Sequence, residues 1–164
     1  MAEDDSLPLG YSRETAIRRD ALGRWFENEV AITHPKLVRA LNRWLEVDEE
    51  GRFRLRNAIH WVYAQVEGPL CFVQRVALEG DRLRLELSNE SRVDLPPEAL
   101  FLSAEGRIAC RLPSGASAWF SREAASQLGE WLEEDASGAV GLGLAGKFYP
   151  LGSGEAEGRG EVQG

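Results

Sequence analysis

Adding 87 to the residue numbers of one apolar helix face reproduces a second such face further along the chain. Leu37, Val38, Leu41, Trp44 and Leu45 have the i, i+1, i+4, i+7, i+8 spacing of one side of a helix, and Ala124, Ala125, Leu128, Trp131 and Leu132 occupy the shifted positions. The match runs on beyond the helix, where Glu46, Asp48, Gly51 and Leu55 fall on Glu133, Asp135, Gly138 and Leu142. This pattern predicts an internal duplication. It restricts the fold to architectures that hold the same unit twice.

The first unit is expected over 13–67 as a three-stranded meander, a helix and a strand. The meander turns at Asp20-Ala21-Leu22-Gly23 and again near Asn28, after which Thr33 or His34 caps a helix that has Pro35 at its first position. The helix is expected to run to about Glu46, with an acidic turn and a strand following. The second unit, over 98–151, repeats this order, with Ser121 as the helix cap. Residues 68–97 read as a linking antiparallel β segment that ends at Pro96-Pro97. The tails 1–12 and 152–164 are polar and acidic, the second also Gly-rich, and are expected to be disordered. The whole is an α+β class: two duplicated meander-helix-strand units joined by an antiparallel β segment. The five tryptophans are expected in the core, those of the two helices facing inward.

With 164 residues the chain can bury a core without staples. The cysteines, Cys71 and Cys110, have no C-x-x-C spacing and no secretory leader accompanies them, so they read as reduced apolar residues of a cytoplasmic protein. No apolar run reaches the roughly 20 residues that a membrane-spanning helix requires. A net charge of −8 argues against a nucleic-acid partner, because the field that gathers a phosphate backbone is missing.

Motifs that carry chemistry mostly fail on context. Gly141-Leu142-Gly143-Leu144-Ala145-Gly146-Lys147 fits two phosphate-loop patterns, but Phe148-Tyr149-Pro150 stands where a helix N-terminus must follow. The duplication accounts for the stretch as a hairpin. His34, His60, Cys71 and Cys110 lack metal-ligand spacing, so His34 reads as a helix-cap residue and His60 as a strand residue. No nucleophile elbow is present, and Ser114 and Ser117 have no histidine near them in sequence. The acidic turns at Asp48-Glu49-Glu50 and Glu133-Glu134-Asp135 read as solvated helix ends. No catalytic residue, metal or cofactor is therefore assigned.

The segment from Gly23-Arg24-Trp25 through Ala31-Ile32-Thr33-His34-Pro35 to Leu37-Val38 resembles the G-x-W-x-H-x-G-x-P-I-x-(R/H)-x-x-L-V signature of a bacterial family known as domain of unknown function 1285. The acidic turn with Gly51, and Val66-Glu67, are similar to further blocks of that family. The resemblance implies an α+β fold of repeated motifs and a ligand-binding or signal-transduction role. The chain departs from the family pattern at Asn57-Ala58-Ile59-His60-Trp61, where Thr-Pro-x-Glu-Lys is usual, and at Val66-Glu67-Gly68-Pro69, where an acid is lost.

One asymmetry between the copies points to function. Arg52, Arg54 and Arg56 share one face of their strand, whereas Ala139, Gly141 and Gly143 stand at the shifted positions. One copy is expected to show a cationic ridge and the other a bare backbone surface. Guanidinium forks suit a carboxylate or phosphate, so the three arginines are the candidate ligand-binding residues. The simpler alternative is a strand face that pairs with the chain's own acids. The expected function is a non-enzymatic binding or regulatory module for an anionic small molecule or an acidic protein partner. The competing expectation is a scaffolding protein that contacts partners at a sheet edge.

Overall fold

The computed structural model describes residues 12–153. They fall into two compact units that divide after Gly68, and the class is α+β, with two α-helices among many strands.

In the first unit β1 (Ile17–Arg19), β2 (Trp25–Glu27) and β3 (Val30–Ala31) form the meander. The helix α1 (Pro35–Trp44) follows, with Pro35 in its first turn and His34 at the N-cap. The imidazole makes no capping bond, so the proline and the apolar face account for the start. The helix gives way directly to β4 (Leu45–Val47), then β5 (Phe53–Arg56), β6 (Trp61–Tyr63) and β7 (Gln65–Val66). β4, β5 and β6 make an antiparallel sheet, and α1 packs on β5. Leu41, Leu45 and Leu55 are buried, as the helix periodicity and the strand alternation require. Trp25 is 1% exposed and donates its indole N–H to Asn42 Oδ1 at 2.9 Å. Trp44, expected inward, is only half-buried.

The second unit starts with β8 (Cys71–Glu79), β9 (Arg82–Leu87) and β10 (Arg92–Asp94). A 3-10 turn at Pro97–Ala99 leads into β11 (Leu100–Leu102), β12 (Ile108–Arg111) and β13 (Ser117–Phe120). The helix α2 (Arg122–Leu128) is capped by Ser121, whose hydroxyl accepts from the Ala124 N–H at 3.1 Å. It tightens into a 3-10 turn, Gly129–Trp131, before β14 (Leu132–Glu134), β15 (Val140–Leu144), β16 (Lys147–Pro150) and β17 (Gly152–Ser153). Residues 69–97 are part of this unit: the seven-stranded order is β10-β9-β8-β13-β12-β11-β17. Val73, Leu83, Leu85, Leu100 and Leu128 form the centre of its core, and α2 lies on β8 and β13.

The sheets are not wholly antiparallel. β7 runs parallel to β1, β8 to β13, and β17 to β11. Each pairing closes a long excursion through other elements, which is the length of connection that parallel strands need. Gly152 and Ser153, expected in a disordered tail, are the strand that pairs with β11. The expected tails otherwise lie outside the described residues, except Ser12, whose hydroxyl accepts from the Glu14 N–H at 3.0 Å.

The ladders of the two units correspond. Leu45↔Leu55 becomes Leu132↔Leu142 on adding 87, and Arg56↔Trp61 becomes Gly143↔Phe148. Asp48 and Asp135 hold equivalent turns: each Oδ1 accepts two or more backbone N–H groups, while Gly51 and Gly138 adopt φ of +87° and +91°. The acidic turns are thus built around one structural aspartate apiece.

Candidate functional site

Strand alternation sends Leu55 toward α1 and Arg54 and Arg56 to the opposite face of β5, with Arg52 immediately before the strand. The ladder then fixes their neighbours, since Arg54 stands between Glu46 on β4 and Tyr63 on β6, and Arg56 opposite Trp61. Asn57 sets this register: its Oδ1 accepts the N–H groups of Ile59 and His60 at 2.8 and 3.0 Å, closing the hairpin. His60 is therefore an exposed turn residue and not a strand residue.

Three planar cations lie on two aromatic rings. The Arg52 guanidinium carbon is 3.4 Å from the Tyr63 ring centroid, and those of Arg13 and Arg54 are 4.2 and 5.0 Å from the Trp61 ring. The two rings meet edge to face at 5.0 Å. Glu46 Oε2 accepts from Nε of Arg54 and from Nε of Arg56, the latter at 2.9 Å. Arg52 reaches Glu14 Oε2 at 3.2 Å. The outer edge of β6 is covered, because the Tyr63 N–H donates to the Arg13 carbonyl and the Thr15 hydroxyl donates to the Tyr63 carbonyl.

The row is not an open ridge of three equal contacts. The side chains of Arg54 and Arg56 are 21% and 29% exposed and share one carboxylate, while that of Arg52 is 50% exposed. Glu46 draws the inner two down because two guanidinium groups on one carboxylate lose less than two held apart from any counter-charge. Arg52 presents an N–H edge to solvent, and stacking on Tyr63 holds its plane. Tyr63, Trp61, Glu46, Arg13 and Glu14 are not among the site residues that the sequence alone points to. The alternation of Trp61 and Tyr63 in β6 was the available signal, and it becomes informative only once the register across the Asn57 turn is known.

The second unit does not show a bare backbone surface. A Cβ added at Gly141 would lie 2.7 Å from Pro150 Cα and 2.8 Å from Phe148 Cζ, and one at Gly143 would strike the Glu133 carboxylate. Phe148 and Glu133 therefore cover the strand where the first unit carries arginines. Gly141 to Lys147 is the β15–β16 hairpin, with its turn at Ala145 and Gly146 at φ of +53° and +78°.

The remaining candidates stay apart. His34 and His60 belong to the first unit and both cysteines to the second, and among the described residues no three His, Cys, Asp or Glu side chains are grouped to hold a metal. Cys71 and Cys110 flank Ala118 from the strands on either side of it. That separation is about two strand spacings, beyond disulfide reach. Both are free and buried, and burial, with a smaller contribution from Cys71, pushes the Cys110 thiol up to about 12. No helix among the described residues is long and apolar enough to cross a membrane.

No family model matches the chain, and no curated protein does. Two solved structures are similar to it. A DUF1285 family protein from Silicibacter pomeroyi superposes with a TM-score of 0.63 at 23% identity, over 89% of this chain and 84% of that one. A second, from Shewanella baltica, gives a TM-score of 0.58 at 15% identity, over 73% of this chain and 94% of that one. The chain thus has the fold of DUF1285 proteins, in agreement with the resemblance seen in its sequence.

Proposed function

We propose that the protein is a non-enzymatic cytoplasmic binding or regulatory module, acting in signal transduction, that recognises an anionic small molecule or an acidic partner surface on the β4–β5–β6 face. The observation that carries this reading is Arg52: half-exposed, its guanidinium carbon 3.4 Å from the Tyr63 ring centroid, and joined to one exposed carboxylate at 3.2 Å. An incoming carboxylate or phosphate displaces Glu14 and takes a fork whose orientation is already fixed, so little side-chain entropy is lost on binding. Arg54 and Arg56, tied to Glu46, support the face and extend its positive potential. The correspondence of the ladders supports reading the two units as products of an internal duplication, of which one kept a contact role.

The test is a thermal-shift screen against mononucleotides, cyclic nucleotides, sugar phosphates, dicarboxylates and a Glu-rich peptide. A ligand at 100 times its dissociation constant adds about 2.7 kcal/mol. A shift that disappears in Arg52→Ala is the expected result. The absence of any shift, or a shift that Arg52→Ala leaves intact, removes the face from the proposal. Arg52 suits this better than Arg54, because Arg54→Glu sets a carboxylate against Glu46 and mixes lost binding with lost stability.

A further inference from the structure

The second unit holds a cleft of about 570 Å³ with a different chemistry. Its floor is apolar: Leu95 is 3% and Leu144 9% exposed, with Pro96, Pro97 and Tyr149 beside them. The volume falls in the range of small-ligand sites. Three elements hold the rim. Asp81 sits in the β8–β9 turn, Glu98 in the 3-10 turn, and Lys147 at the start of β16, directly after the tight turn at Ala145-Gly146.

The rim charges divide into two groups. Asp94 is already engaged, accepting from Arg84 Nε at 2.9 Å and from Arg82 at 3.2 Å, and these bonds hold its carboxyl below the ordinary range. The side chains of Lys147, Asp81 and Glu98, by contrast, form no ion pair or hydrogen bond among the described residues. An open apolar floor is therefore bordered by the Arg82–Asp94 ion pair and by one further cation and two carboxylates that have no partner among the described residues. A simple anion would gain Lys147 and be repelled by two acids. A simple cation would gain the acids and leave Lys147 facing like charge. A ligand with both charges and an apolar body satisfies all three.

We infer that this cleft is a binding site for a zwitterionic apolar ligand of the amino-acid or short-peptide class. Lys147 receives the carboxylate, Glu98 and Asp81 the ammonium group, and Leu95, Leu144 and Tyr149 the apolar side chains. The site stands on residues of the second unit alone and does not depend on the arginine face of the first.

Calorimetric titration of the full chain with leucyl-leucine, its N-acetyl form and its C-terminal amide tests the assignment. The free dipeptide is expected to bind saturably, with each blocked form weaker by about tenfold, the equivalent of 1.4 kcal/mol. Lys147→Met should abolish the discrimination against the amide, and Asp81→Asn together with Glu98→Gln the discrimination against the N-acetyl form, with circular dichroism confirming that these surface variants are folded. The inference is overturned if the free dipeptide shows no saturable binding up to about 10 mM, beyond even weak millimolar recognition, or if all three forms bind alike.

Discussion

Where β5 carries Arg54 and Arg56 opposite Tyr63 and Trp61, β15 carries Gly141 and Gly143 opposite Pro150 and Phe148. The ladders correspond, as does the aspartate turn between the first two strands, and a helix precedes each: ten residues in the first unit, seven and a 3-10 turn in the second. The outer layers differ because of what sits at two Cβ positions. With Cβ atoms present, long cationic side chains stand off the sheet, lie on the rings of β6 and share Glu46. Without them, Phe148 and Glu133 fold down onto the backbone and close the face. A backbone register therefore decides which residues are neighbours, while side-chain volume decides whether the face is available to a partner.

The largest expected effect separates the two rings. Trp61 is buried under two guanidinium groups, so Trp61→Ala should cost about 3–5 kcal/mol in urea denaturation. Phe148 is only half-buried, and Phe148→Ala should cost clearly less. Equal losses would mean that the aromatic layer plays the same part in both units.

The glycines come next. Gly141→Ala drives a methyl group into the Tyr149 and Pro150 backbone, which cannot swing aside, and should cost about 1–3 kcal/mol. Gly143→Ala meets only the end of the exposed Glu133 side chain, which rotates away, so its melting temperature should stay close to that of the parent. A large loss at Gly143 would show that Glu133 is fixed in place.

The shared carboxylate gives a smaller contrast. Glu46→Gln weakens the bonds to Arg54 and Arg56 at a site that solvent partly screens, a loss of about 1 kcal/mol that shrinks in high salt. Glu133→Gln, at the equivalent position, should be near neutral. The Glu46 and Glu133 variants compared at low and high salt check this directly.

Acid should weaken both units together, by the smallest amount per group. Burial opposes ionisation of Asp20, but the backbone and side chain of Arg24 outweigh it and lower its pKa from 3.8. The Ser137 hydroxyl and backbone N–H groups lower that of Asp135 from the same value. A depressed carboxyl stabilises the fold above its unfolded pKa, and this contribution is lost as pH falls through the folded value. Stability should thus be flat near neutrality and decline below about pH 4. In a pH series of melting curves, Asp20→Asn and Asp135→Asn should each flatten part of that decline.

How much was legible depended on the range of the interactions. The helix faces around Leu41 and Leu128 and the turns ending at Gly51 and Gly138 could be read, because periodicity and φ > 0 are local demands on residue type. The parallel pairings of β7, β8 and β17 could not, since each joins strands brought together only by the folded chain. The same limit applied to the arginine row. Alternation placed the three residues on one face, but Glu46 and the β6 rings come from neighbouring strands, and they leave Arg52 as the exposed member. The charged rim of the cleft in the second unit was likewise invisible, because Asp81, Glu98 and Lys147 come from a hairpin turn, a 3-10 turn and the start of β16.

The most direct measurement is an amide NMR titration of the isotopically labelled chain with citrate, a compact tricarboxylate. Saturable shifts at Arg52, Arg54, Arg56 and Tyr63, absent at Gly141, Gly143 and Phe148 and lost in Arg52→Ala, are the expected result. Unchanged resonances on β5 and β6, or equal responses on β15 and β16, would contradict the claim that only the first unit keeps an anion-binding face.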